Sequence, residues 1–391
     1  MMQSSRLAAA RNVQLDMLRG VAVLSVLFSH IYKVPASVAG EWWAACLAQM
    51  RSMGWVGVDL FFVLSGFLVS GLIFSELKKH QSFQGGRFLI RRGFKIYPAY
   101  YISILVGLLQ VATMPHNQVT NQYIASLLVF LQNYFPTNTL TEPMWSHMWS
   151  LAVEEHFYIA LTLVFIILLQ LKKDLRVVPK LCIFVFGFSC LMRALLCCNH
   201  KFDGQIFYSP YVYTHCRIDA LAFGVMLAYF YHNEGEQLKE LVTSRKTLWF
   251  VLGLALISPC LVFQLNNFFT LVFGLTLLYL GFGILLLVSI YSQEMPILSR
   301  ALAKVGFYSY SIYVWHRLVW FWVFMGTLFY PVPYGVQLII YFASSIGFGI
   351  IAGRAIEIPF LTLRDKLVPS RTASTHEDIA PASVATTQSQ A

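Results

Sequence analysis

Charged residues are scarce in this sequence. Asp, Glu, Lys and Arg make up 12% of the 391 residues, whereas soluble domains contain roughly 25%. Hydrophobic residues account for 58% of the chain, and the mean hydropathy is +0.64. Because so few charges cannot cover a folded domain in water, the composition excludes an ordinary soluble protein and predicts an integral membrane protein.

Three other features are missing. The seven cysteines lie in or beside apolar stretches without a paired metal-ligand spacing, so we expect no metal site. The net charge of +10 would suit nucleic acid, but no soluble segment carries a basic face, so we expect no nucleic-acid partner. No internal repeat of the kind found in transporters is visible.

Apolar stretches predict an all-α membrane bundle of about ten transmembrane helices. We place these spans at 14–33, 55–75, 96–114, 150–171, 180–198, 216–232, 247–264, 268–291, 306–330 and 336–360. The apolar segment 124–135 is too short to span comfortably, so we expect it to be interfacial or re-entrant, covering an outward-facing cavity.

Basic residues crowd the links that follow the even-numbered spans, while the other links carry almost none. The positive-inside rule therefore predicts that both termini are cytoplasmic. The first outer link, with Lys33 and Arg51, is an exception. We expect residues 1–13 to form a cytoplasmic segment, 14–360 the membrane domain, and the Ser/Thr/Ala-rich 361–391 a largely disordered cytoplasmic tail.

Ionisable residues within the spans are costly and are usually functional. The predicted topology sorts them by depth. An outer or mid-depth tier contains His30, Asp59, Glu154, Glu155, Arg217 and Asp219, with His316 near the midplane. An inner, cytoplasmic tier contains Arg19, Arg91, Arg92, Lys95 and Glu357.

These two tiers suit the transfer of an activated group from an anionic cytosolic donor to an outward-facing acceptor. Arginine binds phosphate oxygens bidentately, and a neutral imidazole accepts a hydroxyl proton near neutral pH. A nearby carboxylate would hold the histidine tautomer. A proton- or ion-coupled transporter also needs buried ionisable residues and remains the alternative, and a noncatalytic scaffold would leave the buried charges unexplained.

Several sequence blocks occur in a fixed order along the chain. They are Arg19-x10-His30, Gly57-Val-Asp-Leu-Phe-Phe-Val-Leu-Ser-Gly66, Arg92-x-x-Lys95, Trp149-Ser-Leu-Ala-Val-Glu-Glu155, Arg217-x-Asp219, Gly306-x-x-Ser-Tyr-x-x-Tyr-x-x-His316 and Glu357-x-Pro359. Together they resemble the bacterial membrane acyltransferase-3 family of O-acyltransferases. The resemblance extends from about residue 14 to residue 360.

The resemblance implies a ten-span enzyme of the bacterial inner membrane. The implied donor is acetyl-coenzyme A or a related acyl-coenzyme A, and the implied acceptor is a hydroxyl of an extracytoplasmic glycan, such as lipopolysaccharide O-antigen, or of a lipid-linked sugar. Many relatives carry an esterase-like periplasmic domain. None is visible in this sequence, so we expect the chain to finish the transfer alone or with a separate periplasmic partner, and a homo-oligomer is left open.

The resemblance also implies roles for individual residues. His30 and Arg19 match the family's essential pair, and Arg92 with Lys95 matches its donor-binding Arg-x-x-Arg motif, although lysine replaces the second arginine. We assign Asp59, Glu154 and Glu155 to the candidate catalytic set and Arg91 to donor binding. Arg217, Asp219, His316 and Glu357 form a substrate-binding or structural network. Internal ion pairs or topogenic charge would explain many of these residues equally well.

Overall fold

A computed structural model describes residues 12–35, 40–113, 119–135, 144–199, 208–263, 265, 267–292, 297–330 and 332–371. Within these ranges the chain is helical and contains no strand, as the all-α prediction requires. The predicted N-terminal segment up to residue 11, and the tail from residue 372, lie outside the described residues.

The described residues of the first half of the chain form nine α-helices. They are α1 (Val13–Ser29), α2 (Trp42–Met53), α3 (Val56–His80), α4 (Gly85–Ala112), α5 (Asn121–Leu128), α6 (Trp149–Gln170), α7 (Val177–Asn199), α8 (Tyr208–Val212) and α9 (Thr214–Asn233). A 3-10 turn, Ser146–Met148, leads directly into α6.

Seven more helices lie in the described part of the second half. They are α10 (Gly235–Ser244), α11 (Lys246–Val262), α12 (Leu275–Ile290), α13 (Ile297–Phe307), α14 (Ser309–Phe329), α15 (Tyr334–Ala352) and α16 (Ile358–Leu367). The π-helical turns Thr270–Gly274 and Gly353–Glu357 lead into α12 and α16.

Every predicted span overlaps one of these helices, which confirms a polytopic helical bundle. By length and apolarity, however, seven described helices qualify as membrane spans, or eight if the α10–α11 pair, bent by 87°, counts as one. The two remaining predicted spans are α1 and α9. Helix α1 has only 17 residues, about 26 Å of rise, and α9 carries an arginine and an aspartate.

One local prediction needs correction. Helix α4 begins at Gly85, well before the predicted residue 96, so Arg91, Arg92 and Lys95 lie within the helix and not at its start.

The interfacial or re-entrant placement of segment 124–135 stays a prediction, and the structure shows that the segment is divided. Helix α5 ends at Leu128, and Phe130 takes a left-handed conformation with φ 58°.

Two residues after that turn, Gln132 and Asn133, are buried and polar. The Asn133 amide donates to the Val212 carbonyl at 3.2 Å and to the Thr214 hydroxyl at 2.9 Å, while the Gln132 amide donates to the Met148 carbonyl at 2.8 Å. These bonds tie the segment to the starts of α6 and α9. Neither Gln132 nor Asn133 lines a cavity described below.

Close helix crossings at glycine hold the core of the bundle together. Helices α3 and α9 cross at Gly66 and Gly224, where a Cβ atom would lie only 2.0 Å and 2.4 Å from a carbonyl oxygen of the facing helix. Helices α1 and α13 meet in the same way at Gly20 and Gly306. Small residues permit this approach, which is how membrane helices gain packing energy without a hydrophobic driving force.

Candidate active site

A cavity of about 120 Å³ opens among α1, α3, α4, α6 and α14, and we call it the basic cavity. Its polar lining includes Arg19, Arg92, Lys95 and Glu154. The structure therefore brings together three of the cations that the sequence placed in the inner tier. Glu154, which the sequence placed in the outer tier, lies with them because it sits more than one turn into α6.

Arg92 faces this cavity without a carboxylate partner among the described residues. Its guanidinium lies 5.6 Å from the centre of the Phe88 ring, and its Nε atom is buried without a hydrogen-bond acceptor. A half-buried cation with an unsatisfied donor favours an anionic ligand, because the protein has already removed part of its hydration.

Lys95 and Arg91 differ from Arg92. Lys95 forms an ion pair with Glu357, which also accepts a hydrogen bond from the Ser311 hydroxyl at 2.7 Å. Arg91 lies outside the cavity lining, where it pairs with Asp365 at 3.0 Å and donates to the Val368 carbonyl. The predicted donor-binding set is thus divided, with Arg92 and Lys95 inside the cavity and Arg91 outside it.

The paired glutamates point in different directions. Glu154 accepts a hydrogen bond from the Tyr158 hydroxyl at 2.6 Å, and that hydroxyl lies 2.7 Å from the Ser65 hydroxyl. Glu155 is buried and accepts from Tyr97 at 3.1 Å, away from the cavity lining. Their catalytic roles stay predictions, and the geometry gives only Glu154 access to a ligand in the basic cavity.

A second cavity, of about 360 Å³, contains His30 and is called here the histidine cavity. Its other polar lining residues are Ser29, Arg51, Ser146 and His147, and its aromatic walls are Trp55, Trp149, Tyr211 and Tyr313. The volume falls within the range of about 300–1,000 Å³ that is typical of small-molecule sites.

Backbone contacts fix the tautomer of His30. Its Nδ1 atom lies 2.9 Å from the Val26 carbonyl oxygen, which can only accept, so Nδ1 carries the proton of the neutral ring. The neutral imidazole therefore keeps a lone pair on Nε2, the form that a general base needs. We predicted that a carboxylate would orient this histidine, but a backbone carbonyl does so in the structure.

Two further imidazoles extend from His30 in a row, because His316 contacts His30 and His147 contacts His316. His316 Nε2 is 3.3 Å from His30 Nδ1, and the other ring nitrogen of His316 donates to the Tyr313 carbonyl at 2.6 Å. The His147 ring lies 4.7 Å from the His316 ring, and its Nε2 donates to the Val314 carbonyl at 3.3 Å. His316 is thus a direct neighbour of the candidate base.

The two cavities share a wall. Val58 and Tyr313 line both of them. The Tyr313 hydroxyl donates to the His147 carbonyl at 2.6 Å and lies 2.6 Å from the Ser150 hydroxyl. The start of α6 also serves both cavities, since Trp149 faces the histidine cavity while Ser150 and Glu154 face the basic cavity. One tyrosine side chain therefore stands between the two spaces.

The remaining predicted carboxylates form buried ion pairs. Asp59 pairs with Arg217 at 2.8 Å, and both side chains are essentially unexposed. Asp219 pairs with Arg193 at 2.7 Å. Neither Asp59, Arg217 nor Asp219 lines a cavity. The arrangement matches the structural alternative for these residues, and a catalytic role for Asp59 stays a prediction.

Sequence reasoning missed three residues of this polar interior. Arg193 lies within the predicted span 180–198, and Arg317 follows His316 directly. Each is therefore an intramembrane arginine and, like Arg19, a candidate functional residue. The third is His147, which lies just before the predicted span 150–171. Among the described residues, no group of three His, Cys, Asp or Glu side chains has the geometry to hold a metal ion.

Comparison with known proteins agrees with the motifs. The chain is 25% identical over 328 residues to the peptidoglycan O-acetyltransferase OatA of Listeria monocytogenes, covering 77% of this chain and 48% of that protein. It is 27% identical over 369 residues to a Staphylococcus aureus protein named as an O-acetyltransferase, covering 88% of this chain and 56% of the relative. An uncharacterized Haemophilus influenzae protein is 29% identical over 234 residues, 56% of this chain and 92% of that protein.

This chain therefore spans about half the length of the relatives that carry an O-acetyltransferase name. No solved structure matches it. A family model described as an acyltransferase domain matches residues 12–354, which is most of the chain and includes both cavities. The chain belongs to the acyltransferase-3 family of membrane acyltransferases, the family that its motifs resemble.

Proposed function

We propose that this protein is a membrane O-acetyltransferase that moves an acetyl group from acetyl-coenzyme A in the basic cavity to a glycan hydroxyl in the histidine cavity. One observation carries the proposal. One cavity contains Arg92, which has no carboxylate partner among the described residues, and the other contains His30 with its Nδ1 atom protonated; Tyr313 lines both.

The donor end of the proposal rests on charge. Phosphate groups of coenzyme A are anionic, and Arg92 presents a desolvated guanidinium with no carboxylate partner among the described residues. The pantetheine arm would pass Arg19 in the basic cavity and bring the thioester to Tyr313, since both residues line that cavity. By the positive-inside rule this end of the bundle faces the cytoplasm, where acetyl-coenzyme A is made.

The chemical step follows from the tautomer of His30. Nε2 accepts the proton of the acceptor hydroxyl while the hydroxyl oxygen attacks the thioester carbonyl carbon. The carbon–sulfur bond then breaks, and the imidazolium returns its proton to the departing coenzyme A thiolate. In a route through a transient acyl-histidine, the same Nε2 lone pair would attack the thioester. Direct transfer and the acyl-histidine route therefore both require a free lone pair on Nε2.

Replacing Arg92 with Gln should raise the KM for acetyl-coenzyme A by about 10- to 100-fold, because a charge-assisted hydrogen bond to phosphate is lost. The kcat at saturating donor should change less than KM. Initial rates with purified protein in nanodiscs provide the measurement. Arg91→Gln is the matched control, since its guanidinium binds Asp365 outside the cavity, and it should change KM by less than about threefold. Equal effects of both substitutions would contradict this placement of the donor.

The activity itself is tested by supplying acetyl-labelled acetyl-coenzyme A to inside-out vesicles from cells that produce or lack this protein. We expect covalent label on glycan only in vesicles that contain it. A proton- or ion-coupled transporter would leave the glycan unlabelled. Absence of label on any saccharide or lipid-linked sugar would overturn the proposed function.

A further inference from the structure

Arg51 and Lys33 are the two cations of the first outer link, at the end of the bundle where the other links carry almost no positive charge. This link departs from the positive-inside pattern, and topology alone gives no reason for Arg51. In the structure Arg51 occupies the last turn of α2 and lines the histidine cavity. An arginine that topology does not require, placed beside the candidate base, needs another explanation.

One nitrogen of Arg51 is fixed by the fold. Its Nε donates to the carbonyl of Ile31 at 3.0 Å, and Ile31 directly follows His30 in the chain. The bond anchors the side chain beside the reactive ring. Within the described residues, Arg51 forms no ion pair, and its two terminal nitrogens have no hydrogen-bond partner from the protein. They are therefore available to a ligand in the cavity.

The described lining of the cavity offers this cation no negative charge, since it contains no carboxylate. The charges of Arg317 and Arg51 both act on His30. The buried carboxylate of Asp59 is already paired with Arg217. An electropositive cavity with an anchored guanidinium favours an anionic ligand over a neutral one of the same shape.

The other walls of the cavity are aromatic. The Tyr211 ring packs 4.9 Å from Trp149 and 6.0 Å from Trp55, measured between ring centres. Flat aromatic surfaces with a few polar groups are typical of sites that orient an amphipathic ligand such as a sugar ring. Arg51 would then bind one substituent of that ring while a hydroxyl points at His30.

We propose that Arg51 binds an anionic group, a carboxylate or a phosphate, carried by the acceptor, and so makes this enzyme selective for acidic acceptors. The inference rests on the proposed function and adds the chemical class of the acceptor. The anion has two possible origins on the acceptor, an acidic sugar residue or the pyrophosphate of a lipid-linked sugar.

The test uses the full chain in nanodiscs with acetyl-coenzyme A and three matched acceptors. These are a uronic-acid oligosaccharide, the same oligosaccharide after carboxyl reduction, and the reduced form linked through pyrophosphate to an isoprenoid. We expect the wild type to favour at least one anionic acceptor over the neutral one by about 10- to 100-fold in kcat/KM. Which anionic acceptor is favoured identifies the origin of the charge.

Two variants test whether the guanidinium of Arg51 causes the preference for anionic acceptors. Arg51→Gln should bring the ratio of anionic to neutral acceptor close to one, chiefly through a higher KM for the anionic acceptor. Lys33→Gln removes the other cation of the same link, which is exposed and outside the cavity lining, and it should keep the wild-type ratio. If Arg51 serves only to hold the Ile31 carbonyl in place, Arg51→Gln would lower kcat/KM equally for all three acceptors, and the proposal would be wrong.

A donor-side anion is the remaining competitor. If Arg51 instead binds a carboxylate on the acyl group, the wild type would prefer succinyl- over acetyl-coenzyme A, and Arg51→Gln would remove that preference while acceptor charge had no effect. That result would overturn the proposal. Direct binding of the acidic and reduced oligosaccharides, measured without donor, separates the two hypotheses. Charge-selective, Arg51-dependent binding without turnover would support this inference and contradict the acetyl-transfer function.

Discussion

Replacing His30 with Ala should lower the kcat of acetyl transfer by about 10²- to 10⁴-fold, the usual contribution of a general base. The physical reason is the loss of the Nε2 lone pair that the Val26 carbonyl contact secures. The affinity for acetyl-coenzyme A should stay within about threefold of wild type, because the cations that line the donor cavity are untouched. Initial rates and equilibrium binding of labelled coenzyme A measure the two quantities separately.

His232→Ala is the matched control for this experiment. His232 lies near the other end of α9 from Arg217, packs against Phe74 and lines neither cavity. Removal of the His232 side chain should change kcat by less than about threefold. That result would show that replacing a histidine with Ala does not by itself lower the activity. An H30A variant that retains more than a tenth of the wild-type kcat would show that His30 is not the base.

Breaking the ion pair between Asp59 and Arg217 should destabilise the protein strongly. Asp59→Ala leaves a guanidinium with 1% exposure without its carboxylate, and removal of one partner of a buried pair costs about 3–5 kcal/mol. The rings of Tyr211, Trp149 and Phe62 surround Arg217 at 4.9–5.8 Å and cannot replace the lost charge. The loss should appear as a lower thermal midpoint by size-exclusion chromatography.

A double variant distinguishes a structural pair from a catalytic carboxylate. Asp59→Leu combined with Arg217→Met removes both charges together, and such replacements of buried pairs are often neutral. We expect the double variant to recover most of the thermal midpoint and at least about a tenth of the wild-type kcat/KM. A double variant that is as stable as wild type but inactive would instead make Asp59 part of the chemistry.

Much of the site could be read from the sequence because the relevant signals are local. The spacing between Arg19 and His30 places them on one helix, about 16 Å apart along its axis. In the structure Arg19 lines the basic cavity and His30 lines the other. The apolar stretches likewise predicted where helices lie, since a span must satisfy its backbone internally.

Other features depend on packing between distant segments, which one sequence does not reveal. His316 meets His30 across 286 positions of sequence, and the Arg193–Asp219 pair joins two helices. Periodicity also cannot separate glutamates that are adjacent in sequence, although α6 turns Glu154 into a cavity and Glu155 towards Tyr97. The predicted depth of a residue along its span therefore does not identify the residues that it contacts, because these depend on which helix faces meet in the folded bundle.

The most direct test of the proposed reaction path is a structure of the protein in nanodiscs with bound coenzyme A. We expect the phosphates at Arg92 and Lys95, the pantetheine arm along the basic cavity past Arg19, and the sulfur at Tyr313 facing the His30 ring. Coenzyme A bound elsewhere, or a sulfur separated from His30 by packed side chains with Tyr313 unmoved, would contradict the path between the two cavities.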